Sequence, residues 1–163
     1  MKDSYLSREE LVKFIATLPT RRLAAGAVIR NEHGELLLVQ PNYKDGWILP
    51  GGTVEAGEAP KPGCFREVEE ELGLRLAPGR LLLVFHGLAR GVWGDSTYYM
   101  YDAGVIAKNT PVTLQTEELI TYEWVAPEQL QEYVNPGFVE RLHDCLRALR
   151  TGEVVEMSSD ERP

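Results

Sequence analysis

Residues 52–74 contain the chain's densest run of side chains that could do chemistry. Six glutamates (Glu55, Glu58, Glu67, Glu69, Glu70 and Glu71) stand against Lys61 and Arg66 there. The whole 163-residue chain carries 17 basic and 25 acidic side chains, a net charge of −8, and this segment alone accounts for half of the imbalance. A helix is expected over roughly 59–73. At ~100° per residue, Glu67, Glu70 and Glu71 fall within an arc of roughly 100°, while Glu69 points about 200° away from Glu67. Cys64, Phe65, Val68 and Leu72 form an adjoining apolar strip, so three carboxylates share one flank beside the core. Like charges at i,i+3 and i,i+4 each destabilise a helix by a few tenths of a kcal/mol, and the C-terminal half of a helix disfavours anions. A divalent cation relieves both penalties. An all-oxygen donor set suits Mg²⁺ or Mn²⁺, with positions left open for water and substrate phosphates.

The elements that must hold this helix are legible on either side of it. Ser7-Arg8-Glu9-Glu10 reads as a capping box, with Leu6 and Leu11 as its hydrophobic staple, and Leu18-Pro19 ends that first helix. Leu23–Arg30 and Glu35–Gln40 flank the polar turn Asn31-Glu32-His33-Gly34 and predict a hairpin. Gly46–Gly52 reads as a short extended piece running into a tight turn. Leu81–Leu88, Thr97–Ala107 and Leu119–Val125 are rich in β-branched, leucine and aromatic residues and read as strands. Pro127–Tyr133 and Gly137–Arg150 read as helices, the second with Val139, Leu142, Leu146 and Leu149 on its apolar face and Gly152 closing it. The order implies an α+β fold, a mixed sheet between helical layers. The expected organisation is an N-terminal helix and linker over 1–21, one domain over 22–152 and a flexible polar tail over 153–163.

Composition narrows the function classes. A surface this acidic repels a phosphate backbone, so polymeric nucleic acid is an unsuitable partner. The longest apolar run, Leu81–Phe85, is far short of the ~20 residues of a membrane span, and Met1–Ser4 leads into polar sequence rather than a secretory apolar stretch. Cys64 and Cys145 give neither a metal spacing nor a disulfide framework, and a cytoplasmic, reducing setting follows.

The spacing Gly52-x5-Glu58-x7-Arg66-Glu67-Val68-x-Glu70-Glu71-x-Gly73-Leu74 resembles the box of the Nudix hydrolases at every specified position, and Trp47–Gly51 is similar to the usual entry to it. The resemblance spans roughly residues 22–126 and implies a Nudix-type α/β/α sandwich. It also implies a metal site of the Gly52 carbonyl with Glu67, Glu70 and Glu71, oriented by Arg66. The implied reaction is metal-dependent hydrolysis of a diphosphate bond in a nucleoside diphosphate linked to another moiety. A nucleoside triphosphate, modified or not, is slightly preferred as substrate because the chain is short; a nucleotide sugar or dinucleotide is the alternative. A non-hydrolytic regulator of the same fold usually loses box carboxylates, and none is lost here. Isomerase chemistry found in the wider family needs a reactive cysteine, and Cys64 lies inside the box helix. The attacking water needs a base, either Glu67 or an acidic residue outside the box, with Glu117 the first candidate and Glu118 the second. Tyr43, Trp47, Arg90 and Tyr99 are candidate substrate contacts, and a homodimer is the oligomer the resemblance suggests. One departure stands out: Ala59-Pro60-Lys61-Pro62-Gly63-Cys64-Phe65 carries two prolines and a glycine where small helix formers are usual. Pro60 and Pro62 fit a first turn, where N–H groups lack intrahelical partners, whereas Gly63 costs about 1 kcal/mol against alanine.

Overall fold

Strands β1 (Arg22–Arg30) and β2 (Leu36–Pro41) form the expected hairpin around the Asn31 turn, but they separate at once. Their only registered pair is Arg30 with Leu36, and each then runs beside another strand. The computed structural model describes residues 5–159, so Met1–Ser4 and the last four residues of the expected tail lie outside the described residues. The Asn31 side chain closes the turn by accepting from the N–H groups of His33 and Glu35 and donating to the Glu35 carboxylate.

The remaining elements are α1 (Arg8–Ala16), β3 (Gly51–Thr53), α2 (Pro60–Leu72), β4 (Leu81–Gly87), β5 (Ser96–Val105), β6 (Leu119–Val125), α3 (Pro136–Thr151) and β7 (Val155–Ser158). The expected helix over Pro127–Tyr133 is present as a 3-10 helix, Pro127–Glu132. The sheet has seven strands in the order β6-β2-β1-β5-β4-β7, with β3 also paired to β1. β1–β5 and β4–β7 are parallel and the other pairs antiparallel.

Alternation along β1 and β2 builds a core on each side of the sheet. Ala25, Ala27, Ile29, Leu37 and Val39 pack with Cys64, Phe65, Val68 and Leu72 of α2. Val28, Leu36 and Leu38 pack with Phe138, Leu142, Cys145 and Ala148 of α3. This is the α/β/α sandwich. On α3 the fully buried stripe runs through Phe138, Cys145 and Ala148 beside Leu142; Val139, Leu146 and Leu149 sit only at its margin. The polar tail is also more ordered than its composition predicts. Val155–Ser158 pairs in parallel with Leu83–His86, because Val155 and Met157 reach the α3-side core. Among the described residues no helix is long and apolar enough to cross a membrane.

Candidate active site

The box helix begins despite its prolines. Ala59 is the N-cap in an extended conformation and Pro60 occupies the first helical position, where its missing N–H removes no hydrogen bond. Gly73, with φ 68°, ends it in the left-handed region that favours glycine. Gly63 has a specific reason to be glycine: a Cβ there would collide with Oε1 of Glu58. The helix gives up about 1 kcal/mol of propensity and in return admits a carboxylate against its first turn.

That carboxylate anchors the hub of the site. Arg66 donates from Nε and Nη2 to the two oxygens of Glu58 at 2.7 and 3.0 Å, and from Nη1 to Glu67 and Glu70 at 3.0 Å each. Its guanidinium thus links the loop before α2 to two carboxylates on the helix flank, and charge-assisted bonds of this kind are among the stronger ones a protein makes. The same bonds hold Glu58 below the usual carboxylate range.

The three flank carboxylates sit at graded depth. Glu70 is exposed, Glu67 is intermediate, and Glu71 is 3% exposed, so its side chain lies within the core rather than merely beside it. The backbone N–H of Gly51 donates to Glu71 at 2.9 Å. Gly51 has φ 144° and packs its Cα face onto the β1 backbone at Ala25, a contact no side chain allows. At Gly52 the constraint is space: a Cβ would lie 2.9 Å from the Glu67 carboxyl carbon. The two glycines therefore press the backbone of β3 against Glu67 and Glu71 together.

Burial pushes the Glu71 carboxyl up to about 8, against the Gly51 hydrogen bond, and the charges of Glu67, Glu118 and Glu70 push it further the same way. Glu67 is raised too, chiefly by burial, although Arg66 opposes it. Among the described residues no cation forms a salt bridge with Glu71, because Arg66 is engaged by Glu58, Glu67 and Glu70. No three acidic, histidine or cysteine side chains among the described residues converge into a ready-made ion cage. The donor chemistry nevertheless fits a hard divalent cation: oxygen ligands only, clustered like charges, and a buried carboxyl whose ionised form needs positive charge nearby.

A cavity of about 590 Å³ opens at the same glycines. Gly51 and Gly52 line it together with Tyr43, Trp47, Tyr98, Tyr133, Asn135 and Arg141. Trp47 and Tyr133 meet edge to face with ring centroids 5.3 Å apart. Asn135 caps α3 by accepting from the Phe138 N–H. The Arg141 guanidinium lies 4.0 Å from the Phe85 ring centroid and 5.3 Å from that of Phe138.

The structure brings Gly52, Arg66, Glu67, Glu70 and Glu71 together, with Tyr43 and Trp47 lining the adjoining cavity. Partial burial and then the charges of Glu71, Glu118 and Glu67 push up the phenol of Tyr43, which lines the cavity. Glu118 likewise acts on Glu67 and Glu71; Glu117 is exposed and is not among the groups that shift either of them. Tyr99 lies on the α2 side of the sheet, its ring stacked on Tyr101 at 6.5 Å, and is absent from the cavity lining. Its neighbour Tyr98 points to the other side and lines the cavity instead. Arg90 sits in the loop after β4 and lines a separate cavity of about 390 Å³, which shares Asn135 and Arg141 with the first. Sequence reasoning did not single out Asn135, Tyr133 or Arg141. The Asn135-Pro136 helix start was a readable signal for Asn135, but nothing local tied it to the box.

The NUDIX domain profile matches residues 20–147, and the chain belongs to the Nudix family. It is 28% identical over 131 residues to a MutT-like protein from Streptomyces ambofaciens, covering 78% of this chain and 79% of that protein. It is 33% identical over 131 residues to Nudix hydrolase 5 from Arabidopsis thaliana, covering 76% of this chain but only 42% of the plant protein. Among solved structures, the MutT protein from Methanosarcina mazei Go1 superposes with a TM-score of 0.67 at 28% identity, covering 84% of this chain and 99% of that one.

Proposed function

We propose that this Nudix-type pyrophosphohydrolase cleaves, with a divalent cation, a diphosphate bond in a nucleoside diphosphate linked to another moiety, a nucleoside triphosphate, modified or not, being the preferred substrate. One observation carries the reading: the buried Glu71 and its neighbour Glu67 are pressed against the same two glycines that line the cavity. Phosphates at Gly51-Gly52 and a base toward Tyr98 and Asn135 would both lie along the lining of this one cavity.

The residues that would hold Mg²⁺ or Mn²⁺ are Glu67, Glu70, Glu71 and the Gly52 carbonyl. When bound, such an ion neutralises phosphoryl oxygens and lowers the pKa of coordinated water. Arg66 sets the positions of Glu67 and Glu70 through its hydrogen bonds. The base that takes the proton of the attacking water would be Glu67 or, outside the box, Glu117 or Glu118 of the segment before β6. Trp47 and Tyr133 offer an aromatic edge to a flat ring, and Asn135 a short polar group. Both cysteines are free and buried, and burial pushes their thiols up to about 12, which argues against a cysteine-based isomerase and fits a cytoplasmic setting.

The test is turnover of a panel of nucleoside triphosphates, nucleotide sugars and dinucleoside polyphosphates with Mg²⁺, read as released phosphate or pyrophosphate. Turnover of triphosphates ahead of the other classes is expected. Faster turnover of a nucleotide sugar or dinucleotide overturns the substrate preference, and no turnover on any member overturns the hydrolytic reading.

A further inference from the structure

Two arginines line one small recess in a chain whose net charge is −8. The recess is the cavity of about 390 Å³ between the loop after β4 and the start of α3. Its polar side chains are Arg90, Asn135, Arg141 and Ser159, and among the described residues no carboxylate lines it. Every one of these groups can donate. Arginine has donors only. Asn135 accepts from the Phe138 N–H at 2.9 Å through its side-chain oxygen, which leaves the amide NH₂ to donate. Ser159 accepts from the Leu88 N–H at 3.1 Å, which leaves its hydroxyl hydrogen. Asn135 also caps a helix of 16 residues, whose N-terminal end carries partial positive charge.

The two sides of the recess are held in place. The Arg141 guanidinium stands over the rings of Phe85 and Phe138, and stacking of this kind fixes the plane of the fork. Arg90 lies on a turn closed by backbone hydrogen bonds exchanged with Trp93 at 2.9 and 3.0 Å, and the neighbouring Ala89 N–H donates to Asp95 at 2.7 Å. Arg21, Arg30, Arg66, Arg75 and Arg147 are engaged in salt bridges among the described residues, Arg90 in none.

We propose that this recess is a second anion site, which takes a phosphate group and is coupled to the larger cavity. Guanidinium forks match phosphate oxygens in geometry as well as charge. Asn135 and Arg141 line both cavities, so an anion in the recess touches groups that a substrate in the larger cavity also meets, and each should change the affinity of the other. Two sources share this chemistry: free inorganic phosphate, and a phosphate carried on the far part of a substrate.

Titration of the intact ¹⁵N-labelled chain with inorganic phosphate tests the site, in EDTA and at an ionic strength held constant with chloride. Without a divalent cation the glutamate flank of α2 repels an anion, so it does not contribute. Saturable shifts of the Leu88, Arg90, Asn135 and Ser159 amide signals are expected, with half-saturation near about 1 mM. Arg90→Gln and Arg141→Gln should each weaken binding at least about 10-fold, and Arg90 is exposed, so its replacement leaves the core untouched. No saturable shift, shifts confined to Gly51 and Gly52, or native affinity in Arg90→Gln each overturn the proposal. The source is separated by turnover with Mg²⁺, the one step that rests on the proposed hydrolysis. If the anion is free, added phosphate changes the KM of a nucleoside triphosphate several-fold in the native chain and not in Arg90→Gln. If the substrate carries it, a nucleotide sugar bearing a remote phosphate has a KM several-fold below that of the same sugar without one, and Arg90→Gln removes the difference. Neither effect in a chain that turns over substrate overturns the coupling. Absence of turnover with phosphate still bound removes the hydrolysis and leaves the anion site.

Discussion

Replacing Glu71 by glutamine isolates the cost of holding an anion in the core. Glutamine keeps the shape and still accepts the Gly51 N–H, so it stands in for the protonated acid. Folding holds the carboxyl at about 8 against an ordinary 4.5. Between those values the folded protein retains a proton that the unfolded chain has released. Stability of the metal-free protein therefore falls as pH rises through that window, and the full penalty is present above it. At 1.36 kcal/mol per pH unit the gap sets a ceiling of about 5 kcal/mol, and relaxation around the charge should bring the measured figure to a few kcal/mol. The assay is urea unfolding in EDTA at pH 5, 7 and 9 for both proteins. The two should be nearly equal at pH 5, with Glu71→Gln the more stable by a few kcal/mol at pH 9. Adding Mg²⁺ at 100 times its dissociation constant should return about 2.7 kcal/mol to the native protein and much less to the variant. A stability difference that is the same at pH 5 and pH 9 would falsify the assignment of a buried, cation-seeking carboxylate to Glu71.

Three further outcomes follow from the packing. Gly63→Ala should lower the melting temperature by several degrees in a thermal scan despite alanine's better helix propensity, because the new Cβ displaces Glu58 from Arg66; an unchanged or higher melting temperature contradicts that packing. Asn135→Ala should raise KM several-fold while the matched Tyr99→Phe leaves it alone; the reverse pattern would move the substrate to the other side of the sheet. Truncation after Gly152 should destabilise the chain by about 2 kcal/mol or more in urea, since it strips Val155 and Met157 from the core and leaves β4 as an open edge; a neutral truncation would mean the β7 pairing contributes nothing.

The carboxylate flank of α2 was readable because helical spacing is a fixed geometry: knowing that residues 66–71 are helical already places Glu67, Glu70 and Glu71 on one side. What spacing does not encode is depth. Glu71 is buried because the Gly51-Gly52 turn of β3 closes over it, a contact twenty residues away in sequence. The same limit separates Tyr98 from Tyr99. Alternation puts them on opposite faces, but which face meets the cavity depends on where α3 docks. Gly63 is unfavourable to the helix taken alone, and only the Glu58 carboxylate packed against it accounts for it. The tail misled because its few apolar side chains act through a strand partner seventy residues earlier, which local composition cannot reveal. The first helix was correct in its caps, and those caps say nothing about what covers its apolar face.

The most direct test of the central claim is the rate of Glu70→Gln. Glu70 is an exposed flank carboxylate, so its removal leaves the core untouched. With Mg²⁺ and the best substrate of the panel, kcat should fall by about two orders of magnitude or more while the melting temperature stays within a few degrees of the native protein. Native turnover by a folded Glu70→Gln protein, or native turnover in excess EDTA, would contradict a divalent cation held on the glutamate flank of α2.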